Sequence, residues 1–111
     1  VQTCALPIFR KQFNVRIKSF AHVGDGNLHV YILKDQIPDA EWKVLLEKVM
    51  DALYLKAKAL GGCISGEHGI GFIKKGNLEQ HFGRDGSVMT MMRALKKAFD
   101  PNNILNPGKI C

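Results

Sequence analysis

Between two β-forming runs the chain reads Gly24-Asp25-Gly26-Asn27, and no other feature constrains its fold as tightly. Upstream, Phe13, Val15 and Ile17 alternate with Asn14, Arg16 and Lys18, the period of a strand beginning near Asn14; Ser19 and Phe20 break the alternation. Downstream, Leu28 to Leu33 is rich in β-formers. An Asp-Gly pair suits the two-residue type I′ turn of a hairpin. With that turn, Gly24 pairs with Asn27, Val23 with Leu28, and His22 with His29.

The next segment predicts a helix to pack on this sheet. Trp42, Leu45, Leu46, Val49, Met50, Leu53, Ala57 and Leu60 follow helical spacing, while Glu41, Lys43, Glu47, Lys48, Asp51 and Lys58 fall largely on the other side. Asp39 can cap its start and Gly61-Gly62 its end. A short strand, Cys63 to Ser65, then runs into the glycine loop Ser65-Gly66-Glu67-His68-Gly69-Ile70-Gly71. Residues 72–82 form a short helix closed by Gly83. Asp85 or Ser87 starts another that runs to Phe99, with Met89, Met92, Leu95 and Phe99 on one face. Asp100-Pro101 stops it, because proline disfavours helical geometry in the residue before it.

The order β-β-α-β, then helices, predicts an α+β fold: an antiparallel sheet with helices on one face. Three strands make a thin sheet, which leaves room for partner strands outside this chain. Residues 1–13 are set apart as a leader foreign to the domain: VQTCALPIFR has no clear period and Pro7 interrupts it. The domain proper is assigned to residues 14–111.

A chain of 111 residues holds one domain with a modest core. No apolar run approaches the roughly 18 residues of a membrane span. In VQTCALPIFRK the basic residues follow the apolar ones, the reverse of a signal peptide. The net charge of +6 raises nucleic acid as a partner, but its distribution argues against it. Lys56, Lys58, Lys96 and Lys97 lie near helix ends, where cations complement the dipole, and the remaining basic residues are scattered. Attraction of small anions such as carboxylates is the milder reading. Three cysteines, an odd number without a C-x-x-C pair, argue against a disulfide framework or zinc ribbon and favour a reducing cytoplasmic location.

Two histidines directly opposed across a hairpin have Cβ atoms about 4.5–5.5 Å apart on one face. They can then grip one metal ion at about 2.0–2.1 Å each. Glu67 supplies a third ligand, and two histidines with one carboxylate leave positions open for substrate or water. Gly66, Gly69 and Gly71 allow close approach of a ligand. His68, next in an extended segment, points away from the metal and is available as a base. The same residues also read as ordinary surface or core histidines beside a solvent-exposed carboxylate, with GDGN a plain turn. His81 reads as surface or core, Cys63 as a small buried residue, Met89 to Met92 as core, and Asp25 as turn chemistry.

In order, His22-Val23-Gly24-Asp25-Gly26-Asn27-Leu28-His29, Ser65-Gly66-Glu67-His68-Gly69-Ile70-Gly71 and Asp100-Pro101-Asn102-Asn103-Ile104-Leu105-Asn106-Pro107-Gly108-Lys109 resemble the C-terminal part of FAD-linked oxidases. These flavoproteins include the glycolate oxidase D subunit, D-lactate dehydrogenases and D-2-hydroxyglutarate dehydrogenase. The resemblance, over residues 14–111, implies a ferredoxin-like cap domain whose N-terminal FAD-binding domain lies outside this chain. It implies a divalent metal, zinc in the first instance, on His22, His29 and Glu67, and His68 as general base. It places Asn106 and Lys109 near the flavin. The implied chemistry is oxidation of a D-2-hydroxy acid, lactate- or glycolate-like, to a 2-oxo acid with hydride passing to FAD. The ending at Cys111 resembles lactate-dehydrogenase-type members of anaerobic bacteria, some of which pass electrons to an electron-transfer flavoprotein. Such a protein is cytoplasmic, or peripheral to a membrane through its partners. Tyr31 departs from some hydroxyglutarate-type relatives, which carry an asparagine there. Two competing classes remain: a flavin-free metal hydrolase, and a non-catalytic remnant or metal-binding module.

Overall fold

The computed structural model describes residues 2–110, with side chains from residue 6 onward. Its elements are α1 (Gln2–Phe13), β1 (Arg16–His22), β2 (Asn27–Leu33), α2 (Asp39–Ala59), α3 (Lys75–Phe82) and α4 (Ser87–Phe99). The fold is α+β, as expected, and divides into two compact units, Val1–Glu67 and His68–Cys111.

In the first unit β1 and β2 pair antiparallel, and they form the one sheet among the described residues. The pairing differs from the expected one by two residues: His22 faces Asn27, Ala21 faces Leu28, and Phe20 faces His29. The cause is a wider loop. Val23–Asp25 form a 3₁₀ turn, Gly26 takes the left-handed conformation at φ 67°, and its N–H donates to the Val23 carbonyl. Four-residue hairpin loops are commonly built around such a turn. A shift of two keeps every side chain on its predicted face; a shift of one would have turned the histidines over. Ser19 and Phe20 do not interrupt β1, which runs through to His22.

The expected strand start at Asn14 is instead a helix end. Asn14 adopts φ 51° and the Val15 N–H donates to the Arg10 carbonyl, so a left-handed residue closes α1. Residues 2–13, unassigned from their pattern, are thus helical despite Pro7, which removes one backbone donor. Leu6 and Phe9 of α1 are buried with Val15, Val49 of α2 and Ile64.

α2 matches its predicted stripe, but Asp39 is its first residue and not its cap. The Asp39 carboxylate instead pairs with Lys34. At the other end Gly61 takes φ 76°, its N–H donates to Lys58 and that of Gly62 to Ala57, a Schellman closure. The expected strand Cys63–Ser65 does not form. No strand lies beside it to pair with among the described residues, and its apolar Ile64 serves as a loop anchor, 6% exposed. Cys63, expected to be buried, is exposed and free.

In the second unit α3 packs on α4 through the buried Leu78 and Met89. Of the predicted face residues of α4, Leu95 and Phe99 are exposed; Met91 is exposed as well, so the expected methionine core reduces to Met89 with a half-buried Met92. α4 ends at Asp100, whose carboxylate is buried. It accepts hydrogen bonds from the backbone N–H groups of Ile104 and Leu105, each at 2.9 Å, and from Lys96. Lys96 also donates to the Leu105 carbonyl. The turn-rich tail is therefore organised around one carboxylate.

Candidate functional site

The sheet register sorts the hairpin into two faces. Ile17, Ala21, Leu28, Val30 and Ile32 share one. Phe20, His22, Asn27, His29 and Tyr31 share the other. His22 and His29 are diagonal neighbours on that face, with ring centroids 5.1 Å apart and planes at 80°. Such diagonal pairs are within reach of long and aromatic side chains. The His29 ring stacks on Phe20 at 4.8 Å, and Phe20 stacks on Tyr31 at 5.3 Å. Those two contacts hold the imidazole at a fixed tilt and leave its side chain only 13% exposed.

The loop after α2 carries Glu67 to the same place. Glu67 Oε1 lies 3.1 Å from His29 Nε2 and 3.7 Å from His22 Nε2. One ligand atom from each of His22, His29 and Glu67 falls within 4.8 Å of the other two, and no other such cluster occurs among the described residues. Ligands at about 2.0–2.1 Å in a tetrahedral arrangement stand roughly 3.3 Å apart. The two separations from Glu67 Oε1 bracket that spacing, and the chemistry of the donor set fits a divalent ion such as zinc. Two imidazoles and one carboxylate suit a borderline metal and would leave coordination positions open to solvent, since His22 and Glu67 are about half exposed.

The remaining expected site residues lie in the second unit. His68 follows Glu67 directly and is exposed. Residues 66–68 are bends and not an extended segment, so the alternation that was to turn His68 away from Glu67 does not operate. Asn106 and Lys109 sit in the tail, where Lys109 Nζ donates to Asn106 Oδ1 at 3.2 Å and its N–H to the Asn106 carbonyl at 3.3 Å. Asn106 at φ 49° and Gly108 at φ 74° shape that turn. Asp25 lies in the 3₁₀ turn, as expected for turn chemistry, and outside the ligand cluster.

Two contributors to the site are not singled out by pattern: Phe20 and Asn27. For both, period-two spacing from His22 and His29 carries the signal under either turn length, but Phe20 breaks the apolar alternation of its strand and Asn27 belongs to the turn sequence GDGN. Elsewhere in the first unit, an open groove of about 510 Å³ lined by Arg10, Lys11, Arg16 and Asp35 does not touch the ligand cluster. There Arg16 closes a two-pronged pair on Asp35, its Nε donating at 2.7 Å.

Among known proteins, the family model for the C-terminal domain of FAD linked oxidases matches residues 8–110. The chain is 49% identical over 96 residues to a D-lactate dehydrogenase of Anaerostipes hadrus, covering 86% of the chain and 20% of the relative. It is 42% identical over 99 residues to glycolate oxidase subunit GlcD of Bacillus subtilis, covering 89% and 20%. It is 41% identical over 92 residues to a D-2-hydroxyglutarate dehydrogenase of Stutzerimonas stutzeri, covering 82% and 19%. The chain thus spans about a fifth of the length of the curated relatives it matches.

Proposed function

Since the chain belongs to the FAD-linked oxidases, as their C-terminal domain, we propose that it is the substrate-side portion of a flavoprotein oxidising a D-2-hydroxy acid to a 2-oxo acid. The convergence of His22, His29 and Glu67 on one point carries this reading. These three residues would hold a divalent ion, zinc in the first instance. When bound, that ion supplies Lewis acidity toward the hydroxyl and carboxylate oxygens of a hydroxy acid.

The chain's own residues do the rest. His22 and Glu67, half exposed, leave one side of the cluster open for a small carboxylate to enter. Phe20 and Tyr31, 57% and 48% exposed on the same face, offer an aromatic ledge beside His29. Such a ledge favours a small apolar α-substituent, lactate- or glycolate-like, over one ending in a second carboxylate. His68 would take the hydroxyl proton, and the flavin, when bound, would supply the two-electron acceptor for the substrate's α-hydrogen as hydride. Asn106 and Lys109 are the residues we assign to flavin contact. A flavin would be held by a part of the whole protein outside this chain, with an electron-transfer flavoprotein as one candidate acceptor. With free Cys63 exposed, a reducing cytoplasm is the fitting compartment. No helix among the described residues is long and apolar enough to cross a membrane.

The test is the visible spectrum of the full-length protein carrying this chain. A flavin spectrum bleached anaerobically by D-lactate or glycolate is expected. A colourless protein, or a flavin that no D-2-hydroxy acid bleaches, overturns the reading. The second reading, a metal-binding module without turnover, draws on the His22–His29–Glu67 cluster alone; it predicts the colourless result with metal still bound.

A further inference from the structure

Glu67 reaches the histidines from a loop, and a loop must be seated. Gly66, the residue before it, lies against the Asn27 carboxamide. A Cβ on Gly66 would stand 2.5 Å from Asn27 Cγ and 3.0 Å from Nδ2, with Oδ1 closer still. Gly66 is absent from the residues with positive φ, so the position demands space and not an unusual backbone angle. Asn27, for its part, is not spent on the turn. Gly26 takes the left-handed angle that an asparagine in a hairpin loop often supplies, and Asn27 is already the first residue of β2. Asparagine is depleted in strands, so its side chain needs another reason to be there. It faces His22 across the sheet and shares a face with His29, two residues on.

We propose that Asn27 is a positioning residue for the metal centre. Its carboxamide is the stop against which Gly66 rests, and that stop sets Glu67 Oε1 between the two imidazoles, 3.1 and 3.7 Å from their Nε2 atoms. Asn27 does not itself ligate; it acts through Glu67. This rests on the metal reading given above.

The experiment uses the full-length protein and two readouts: Zn²⁺ affinity by competition with a chromophoric chelator, and the visible spectrum of the Co²⁺-loaded protein. Groups that orient a ligand without binding metal change affinity by roughly ten- to a hundredfold. Asn27→Ala is expected to lose that much and to shift the Co²⁺ spectrum toward that of Glu67→Gln. Because Asn27 works through Glu67, the double variant should bind no more weakly than Glu67→Gln alone. Gly66→Ala, which lies outside both strands and leaves the hairpin intact, should reproduce the loss even where Asn27→Ala compromises folding. Wild-type affinity in both Asn27→Ala and Gly66→Ala overturns the proposal, as does full additivity of the Asn27→Ala and Glu67→Gln losses. A wild-type protein that binds neither metal overturns the metal reading itself, a result distinct from either.

Discussion

His29 and Glu67 show how a site of few residues divides its labour. His29 is 13% exposed and stacked on Phe20, so its imidazole is held before any ligand arrives. Glu67, 48% exposed and carried on a loop, is the adjustable member. Removing its charge while keeping its shape therefore tests its proposed role as a ligand. Glu67→Gln is expected to lower Zn²⁺ content on dialysis against a weak chelator, with affinity down at least about tenfold. His68→Ala is expected to do the reverse: metal content stays, while flavin reduction in stopped flow slows by roughly 10²–10⁴. Equal flavin reduction in His68→Ala and wild type would remove His68 as the base.

At the scale of elements, the C-terminal turn depends on a single buried carboxylate. The Lys96 ammonium, with the backbone donors of Leu105 and Ile104, holds the Asp100 carboxyl below the usual carboxylate range, against the opposing effect of burial. A carboxyl depressed on folding stabilises the folded state above its unfolded pKa of about 3.9, and that contribution is lost as pH falls through the lower folded value. The turn should therefore loosen below about pH 4. Asp100→Asn should flatten this part of the acid limb and lower stability near pH 7. Thermal melts at stepped pH, with hydrogen exchange at Ile104 and Leu105, measure both; an unchanged acid limb in Asp100→Asn would assign the transition to another group. The element boundaries follow the same local chemistry. Gly61-Gly62 and Asp100-Pro101 end helices where their residue types predict, whereas Asn14 closes α1 where alternation alone suggested a strand start.

At the scale of the whole molecule, the exposed apolar side chains matter most. Phe72, Ile73 and Phe99 are 71%, 92% and 82% exposed, and Ile104 is 74% exposed. Where such side chains adjoin one another, they mark contacts or aggregation liabilities in an isolated chain. The relatives are about five times as long as the stretch they share with it. The 111-residue chain expressed alone should bind Zn²⁺ but remain colourless, and should self-associate in sedimentation velocity. The full-length protein should keep its flavin spectrum on treatment with a strong chelator, lose turnover, and recover it on adding Zn²⁺. Turnover unaffected by chelator and free of bound metal would detach the His22–His29–Glu67 cluster from the reaction.

The sequence by itself determined the hairpin, the α2 stripe, the stops of α2 and α4 and the three candidate metal ligands. Each depends on period or on a single residue's backbone chemistry, and both are written locally. It placed His22 and His29 on one face even with the wrong turn, because a two-residue change of register preserves side-chain parity. Only the tertiary structure decided that Cys63–Ser65 stays a loop, since a strand exists only where another offers it hydrogen bonds. Only it brought Glu67 to the histidines across some 40 residues of chain, and showed Asn27 filling the space that Gly66 leaves. Contacts between residues far apart in sequence leave no period to read, so the seat of the third ligand was legible only once the chain had folded.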